Sequence, residues 1–548
     1  MMRNARFWIV TACLAAGAGV SRAAEEGSAA GIARNPPDTT PAARGARALT
    51  ETIDRLLAAK WTESNVHPAA PADDAEYLRR VYLDLVGKIP TVSEARDFLE
   101  DTSPDKRQRL VESLLDSSAY LTRATEIYRS MLLPEADTDG QARQLAPTFE
   151  AWLRKRVSDN AGYDQIVREV LTVRLGGRGR RGGNAFDPKA EPSPLAFYVA
   201  KEAKPENLAS GAARVFLGIR LECAQCHNHP FARWKREEFW GLAAFFAGVG
   251  KPGKNDAVTM SVNETPNKHE LAIPGTAKIV QASFLGSEEK PRWGRRADSG
   301  RDVLADWMLA PENPYFTRAA VNRVWARFFG VGLVEPIDDM GEDNPPAHPE
   351  LLDELARQFR SHDYDLRFLI RAITATKAYS LTSAVGRAET ASSQMFAAMP
   401  VRSLSSGQFF DTVAQATGYR ENGPRNLFFE GTAKTQFLEL FANRDEKPTE
   451  GQTSILQALS LMNGPLTSSV TTLKTGDTLA AVSDAPFLDT AGRIETMYLA
   501  TLTRRPRPDE TDRLVKYVEA AGPEKGQGKA LADVFWALLN SPEFRFNH

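Results

Sequence analysis

Apolar positions recur with helical spacing along most of the chain. From Thr50 onward, Ile53, Leu56, Leu57 and Trp61 share one face at a period of 3.6. Leu78, Val81, Tyr82 and Leu85 repeat the pattern, with Asp73 or Asp74 placed to cap that helix. Thr91 and Glu94 form a capping box after Pro90, and Ser103-Pro104 reads as a cap followed by proline in the first turn. The spacing predicts further helices over 146–158, 163–174 and 205–220, then an aromatic-rich one from Arg233 to Phe246. After Asp302 it predicts helices over 316–329, 349–361, 364–376, 400–417, 450–462, 488–503, 508–521 and 528–540. Leu351, Leu352, Leu355 and Phe359 illustrate the apolar stripe.

Residues 251–298 differ in character. They hold Pro, Gly and Asn with short β-prone runs, Ala257-Val-Thr-Met-Ser-Val262 and Lys278-Ile-Val-Gln-Ala-Ser283. The pattern therefore predicts a mainly α protein: helical domains at 47–250 and 299–548 with a small β-rich insertion between them. No period of about 20–50 residues repeats, which argues against a solenoid. Residues 24–46 are rich in Ala, Gly, Pro and Ser and read as a disordered linker. Gly176 to Gly183 is a basic glycine-rich run without the Lys-Ser/Thr ending of a phosphate loop, so a flexible surface loop is the reading, with anion binding the lesser alternative.

Composition changes this picture little. Hydrophobic residues make up 42% and charged residues 25%, ordinary for a globular protein. Arg3 and Arg6, an apolar run from Phe7 to Val20 and Ser21-Arg22-Ala23 read as an export signal at 1–23. That run is about 14 residues, too short to span a bilayer, and no later segment is long and apolar enough. Val10-Thr11-Ala12-Cys13 loosely resembles a lipoprotein box, but the apolar run before it is very short. Without 1–23 the 68 bases become 65 against 70 acids, a balance that offers nothing to nucleic acid. The expected location is periplasmic or at the cell surface.

The chemistry concentrates in Cys223-Ala-Gln-Cys226-His227, a C-x-x-C-H run. The chain has three cysteines, and Cys13 falls in the expected signal peptide, which leaves these two. The spacing suits covalent haem c: each thiol forms a thioether to a vinyl group and the adjacent imidazole is the proximal iron ligand. The same residues are compatible with zinc or another transition metal, where His229 is an alternative ligand and Glu222 or Glu237 a carboxylate candidate. They are also compatible with a plain disulfide and no cofactor. For haem, the sixth-ligand candidates are Met260, His269, Met340 and His348. His348, just before Pro349, also reads as a helix N-terminal residue. Trp234, Phe239, Trp240, Phe245 and Phe246 read either as haem-pocket walls or as core, and Arg233, Lys235 and Arg236 either as propionate partners or as a solvated face. Asp338-Asp339 with Glu342-Asp343 reads as a solvated acidic loop or, without EF-hand spacing, as a site for a cation such as calcium, and Asn322, Arg323 and Trp325 as a polar patch or a tie to a neighbouring loop. No G-x-S-x-G, H-E-x-x-H or placed dinucleotide fingerprint accompanies them, so enzymatic status stays open.

Longer runs carry a resemblance. Leu78-Arg-Arg-Val-Tyr-Leu-Asp-Leu-Val-Gly-Lys-Ile-Pro-Thr91 and Phe216-Leu-Gly-Ile-Arg-Leu-Glu-Cys-Ala-Gln-Cys-His-Asn-His-Pro-Phe231 resemble domain of unknown function 1549, an exported, cytochrome-associated family abundant in planctomycetes. Asn322-Arg-Val-Trp-Ala-Arg-Phe-Phe-Gly-Val-Gly-Leu-Val-Glu-Pro336, Asn344-Pro-Pro-Ala-His-Pro-Glu-Leu-Leu352 and Trp536-Ala-Leu-Leu-Asn-Ser-Pro-Glu-Phe-Arg-Phe-Asn-His548 resemble its usual partner, domain of unknown function 1553. The resemblance implies an exported cytochrome-associated protein and no defined reaction. The leading reading is a c-type cytochrome-like redox protein with a separate redox partner. The alternative is a non-haem metal or disulfide-stabilised module of the cell envelope, acting on exported polymers or in assembly.

Overall fold

The computed structural model describes residues 41–176, 191–251, 262–294, 299–384, 393–420, 433–442, 449, 454–522 and 525–548. The expected signal peptide, the linker up to residue 40, all but Gly176 of the glycine-rich loop, and Met260 lie outside them. Within the described residues the apolar stripes become helices. The stripe at Ile53 and Leu57 belongs to a helix that starts at Pro41, inside the expected linker, because Ala46 and Leu49 extend the buried face upstream. Asp73 is the cap of Asp74–Leu85, its side chain accepting the Glu76 N–H at 2.8 Å. Thr91 and Glu94 form the expected reciprocal box at the start of Val92–Glu100.

Several boundaries shift: the helices expected to start at 146, 233, 400 and 450 start at Gly140, Arg236, Ser406 and Ile455. Two further boundaries differ for local reasons. The helix assigned to Ser103-Pro104 begins at Lys106, because the Lys106 N–H closes a turn onto the Ser103 carbonyl at 3.3 Å. The helix expected over 205–220 runs as Pro205–Ala212, widens at its end into a π-turn at Ala213–Leu217, and stops at Gly218 with φ +66°. Downstream, Phe316–Phe329 and Pro349–Ser361 match the expected spans. The β content is three two-stranded antiparallel sheets among the described residues, the expected strand at 278–283 appearing as Ile279–Gln281 paired with Glu270–Ala272.

Two apolar cores result. The larger draws on residues from Ala46 to Met399 together with Leu499, so helices on both sides of the β-rich segment share it. The smaller collects residues from Leu404 to Phe544 together with Leu83 and Ile89. Asp74–Leu85 thus contributes to both, with Leu78 in one and Leu83 in the other. The same helix buries Arg79 and Arg80 completely. Arg79 donates to the carbonyls of Thr501 (3.0 Å) and Phe544 (2.8 Å), and Arg80 to the Tyr379 carbonyl and the Glu76 carboxylate (both 2.6 Å). A buried guanidinium is tolerated when most of its donors are satisfied in this way, although the Arg79 Nε is buried without a partner.

Candidate functional site

The C-x-x-C-H run sits on a short 3₁₀ turn, Glu222–Gln225, with Cys226 closing it. At three residues per turn, positions i and i+3 eclipse, so Cys223 and Cys226 share a side. Alternation with buried neighbours fixes which side: Leu221 and Ala224 are fully buried, while both thiols are free and exposed. The turn is pinned from beneath, where the Gln225 carbonyl accepts the Trp240 Nε1–H (3.0 Å) and the Arg236 Nε–H (3.3 Å). Asn228 Oδ1 accepts the Arg236 N–H at 3.0 Å, which ties the motif to the start of Arg236–Ala243.

The two histidines are used differently. His227 is exposed, and its Nδ1 lies 2.7 Å from the Asn228 carbonyl. A carbonyl only accepts, so in the neutral ring Nδ1 carries the proton and Nε2 the lone pair. His229 Nδ1 accepts the backbone N–H groups of Ala232 (2.9 Å) and Phe231 (3.3 Å), which places the neutral ring's proton on Nε2. His229 therefore holds the turn that reverses the chain at Pro230. Beside it Phe231 is 89% exposed, an uncovered aromatic next to the motif.

The lead-in to the turn is anchored by a side chain that sequence reasoning placed in solvent. Asp338 is buried and bridges Arg214 Nε (2.5 Å) and Arg220 Nε (2.6 Å). Burial works against its ionisation, but hydrogen bonds and charge from both arginines hold its carboxyl below the usual range. The acidic loop is thus not wholly solvated; no period or spacing signals that one of its members turns inward. The polar patch resolves into ties: Arg323 Nη2 donates to the Arg214 carbonyl at 2.6 Å, and Asn322 exchanges hydrogen bonds with Val334. A cleft of about 730 Å³ lies here, lined by Arg214, Arg220, Glu222, Gln225, Arg323 and Asp338 among others.

Of the described sixth-ligand candidates, Met340 alone is held to the lead-in of the motif. Its N–H donates to the Gly218 carbonyl at 2.8 Å, and its side chain packs over that glycine. His269 stacks on Trp293 with ring centroids 3.7 Å apart. His348 is the cap-position residue of Pro349–Ser361, buried against Phe396 with Nε2 2.8 Å from the Gln394 carbonyl. Burial lowers its pKa. Trp234, Phe239, Trp240, Phe245 and Phe246 are all buried in the larger core, so they are packing and not pocket walls. Arg233 pairs with Glu342 (2.6 Å) and Arg236 donates to the Pro274 carbonyl (2.7 Å), while Lys235 stays exposed. Glu237 pairs with Lys278 at 2.8 Å, and Glu222 lies 4.0 Å from Arg214. Among the described residues no three His, Cys, Asp or Glu side chains gather within metal-binding reach.

The donor set suits a thioether-linked haem on one criterion that the chain itself supplies: two thiols on one side of a pinned turn, followed by an imidazole with Nε2 unprotonated. Residues 52–251 match the model of PSCyt2, a protein of unknown function (DUF1549), and residues 300–447 match that of PSD1, a protein of unknown function (DUF1553). No curated protein and no solved structure matches the chain.

Proposed function

We propose that this chain, which belongs to the DUF1549 and DUF1553 families in that order, is an exported c-type cytochrome-like protein. Cys223 and Cys226 hold haem c covalently and His227 Nε2 ligates its iron. The observation that carries the reading is the His227 Nδ1–Asn228 carbonyl contact at 2.7 Å, beside two exposed thiols on one turn. A bound haem supplies one-electron chemistry. The chain's own part is to present the thiols, to fix the imidazole tautomer through Asn228, and to hold the turn rigid through Gln225 and Asp338. The exposed position of the motif favours exchange with a separate redox partner at the surface, where Phe231 offers apolar contact area.

The test is a visible spectrum and an intact mass of protein made in a host that attaches c-type haem, beside the Cys223→Ala/Cys226→Ala variant. A Soret band and a haem increment, both lost in the variant, are expected. A colourless chain of unmodified mass sinks the reading; metal analysis and a thiol count on that sample then separate a bound transition metal from a disulfide. Export is checked on the same preparation, whose amino terminus should lack residues 1–23.

A further inference from the structure

Away from the motif, a pocket of about 230 Å³ is lined by Arg123, Arg327, Arg402, Asp84, Ser405 and Gln408 among others. Three guanidiniums face it and one carboxylate. That carboxylate is already shared out. Asp84 Oδ2 accepts from the Tyr379 hydroxyl (2.8 Å) and Arg402 Nη2 (2.9 Å), and Oδ1 from Asn547 Nδ2 (2.9 Å). Arg327 Nη2 reaches only the Asp84 backbone carbonyl, at 2.6 Å, and has no carboxylate partner among the described residues. Arg123 meets Glu126 only at 3.6 Å, and its Nε is buried without a hydrogen-bond partner.

Arg402 makes the point most sharply. It is 5% exposed, and its Nη1 and Nη2 are spent on the Arg327 carbonyl (2.8 Å) and on Asp84. Its Nε is buried with no partner. Burial and the neighbouring Arg327 charge push Arg123 down to about 10. The helix Ser406–Thr417 begins at this pocket, with Ser405 and Gln408 on its wall, so its amino end adds partial positive charge. Three guanidiniums face Asp84, with Glu126 beside Arg123, so positive charge exceeds negative here; such an enclosed excess is costly, and an anion relieves it. The space is below the range of about 300–1,000 Å³ usual for larger ligands, so it fits a small group.

We propose that this pocket binds a small oxyanion (a phosphate, sulfate or carboxylate group) held by Arg123, Arg327 and Arg402 at the amino end of Ser406–Thr417. Guanidinium forks match such groups in geometry as well as charge. The inference is independent of haem.

The full-length chain is titrated in chloride buffer with inorganic phosphate, sulfate or acetate, by calorimetry and thermal melting, at matched ionic strength. At least one oxyanion should give a saturable heat and a raised Tm beyond sodium chloride; the ranking identifies the group. Arg327→Gln should weaken binding by about tenfold. Arg168→Gln, which breaks an exposed pair with Asp306 outside the pocket, should leave it unchanged. If Arg327→Gln does not fold, Arg123→Gln serves as the loss variant and Arg327→Lys as the charge-preserving one, expected to retain binding. No heat or shift beyond chloride from any of the three anions overturns the proposal. So does unchanged affinity in a folded Arg327→Gln or Arg123→Gln.

Discussion

Single side chains decide how the C-x-x-C-H turn is held. Asp338 joins the segment before the turn to the loop after Val334 through two arginines. Asp338→Asn removes the charge from both bridges and should cost about 2 kcal/mol, read as a lower urea midpoint. An unchanged midpoint would show that the bridges contribute nothing. The pH dependence follows from the lowered carboxyl: its stabilisation is complete above the ordinary carboxylate value of about 4 and is lost as pH falls through the folded value. At His227, Asn228 acts through its carbonyl, so its identity matters less there than its Oδ1 contact to the Arg236 N–H. Asn228→Ala should therefore loosen the turn without changing the His227 tautomer. Faster alkylation of Cys223 and Cys226 in protein made without haem attachment would register it, and unaltered thiol rates there would count against the contact.

At the scale of elements, the decisive feature is where a helix is made to stop. Gly218 takes φ +66°, and a Cβ there would lie 3.1 Å from the Ala319 Cβ and 3.2 Å from the Met340 Cγ. Gly218→Ala should cost about 1–2 kcal/mol through left-handed strain, with crowding against Phe316–Phe329 added, measurable by chemical denaturation. A cost near zero would mean the helix simply runs on, as its periodicity alone suggests. The helices themselves were legible: Asp73, Thr91 and the stripe at Leu351, Leu352, Leu355 and Phe359 mark elements that form where expected. The ends at Lys106 and Gly218 were not, because a turn carbonyl and a packed methionine set them, and neither leaves a periodic trace.

Over the whole molecule, Asp74–Leu85 joins the two cores, and its Arg79, Arg80 and Asp84 tie it to the last residues. Removing 544–548 deletes the Phe544 carbonyl acceptor and uncovers a buried guanidinium. It should lower stability by about 3 kcal/mol or more and sensitise the smaller core to limited proteolysis first. Simultaneous digestion of both cores would oppose that picture. A buried and a half-buried histidine give the molecule an acid limb. His348 is lowered and His548 is lowered to about 4, mainly by burial, so both are neutral when folded and take up protons on unfolding. Their stabilisation is full above about pH 6.5 and drains as pH falls toward 4. His548→Gln should flatten a Tm–pH curve across that window.

The order of residues by itself determined the mainly helical class, the position of most helices and the capping signals, and singled out the C-x-x-C-H run as the candidate for cofactor chemistry, because each is written within a few turns of chain. It also bounded the candidate ligands. Tertiary structure alone decided that Asp338 faces inward and that the aromatics after the motif are core. It also decided that Met340 rests on Gly218, and that Arg123, Arg327 and Arg402 converge on one pocket. Those four outcomes depend on segments tens to hundreds of residues apart meeting in space. Local periodicity reports which face of an element is apolar, but not which element will cover it.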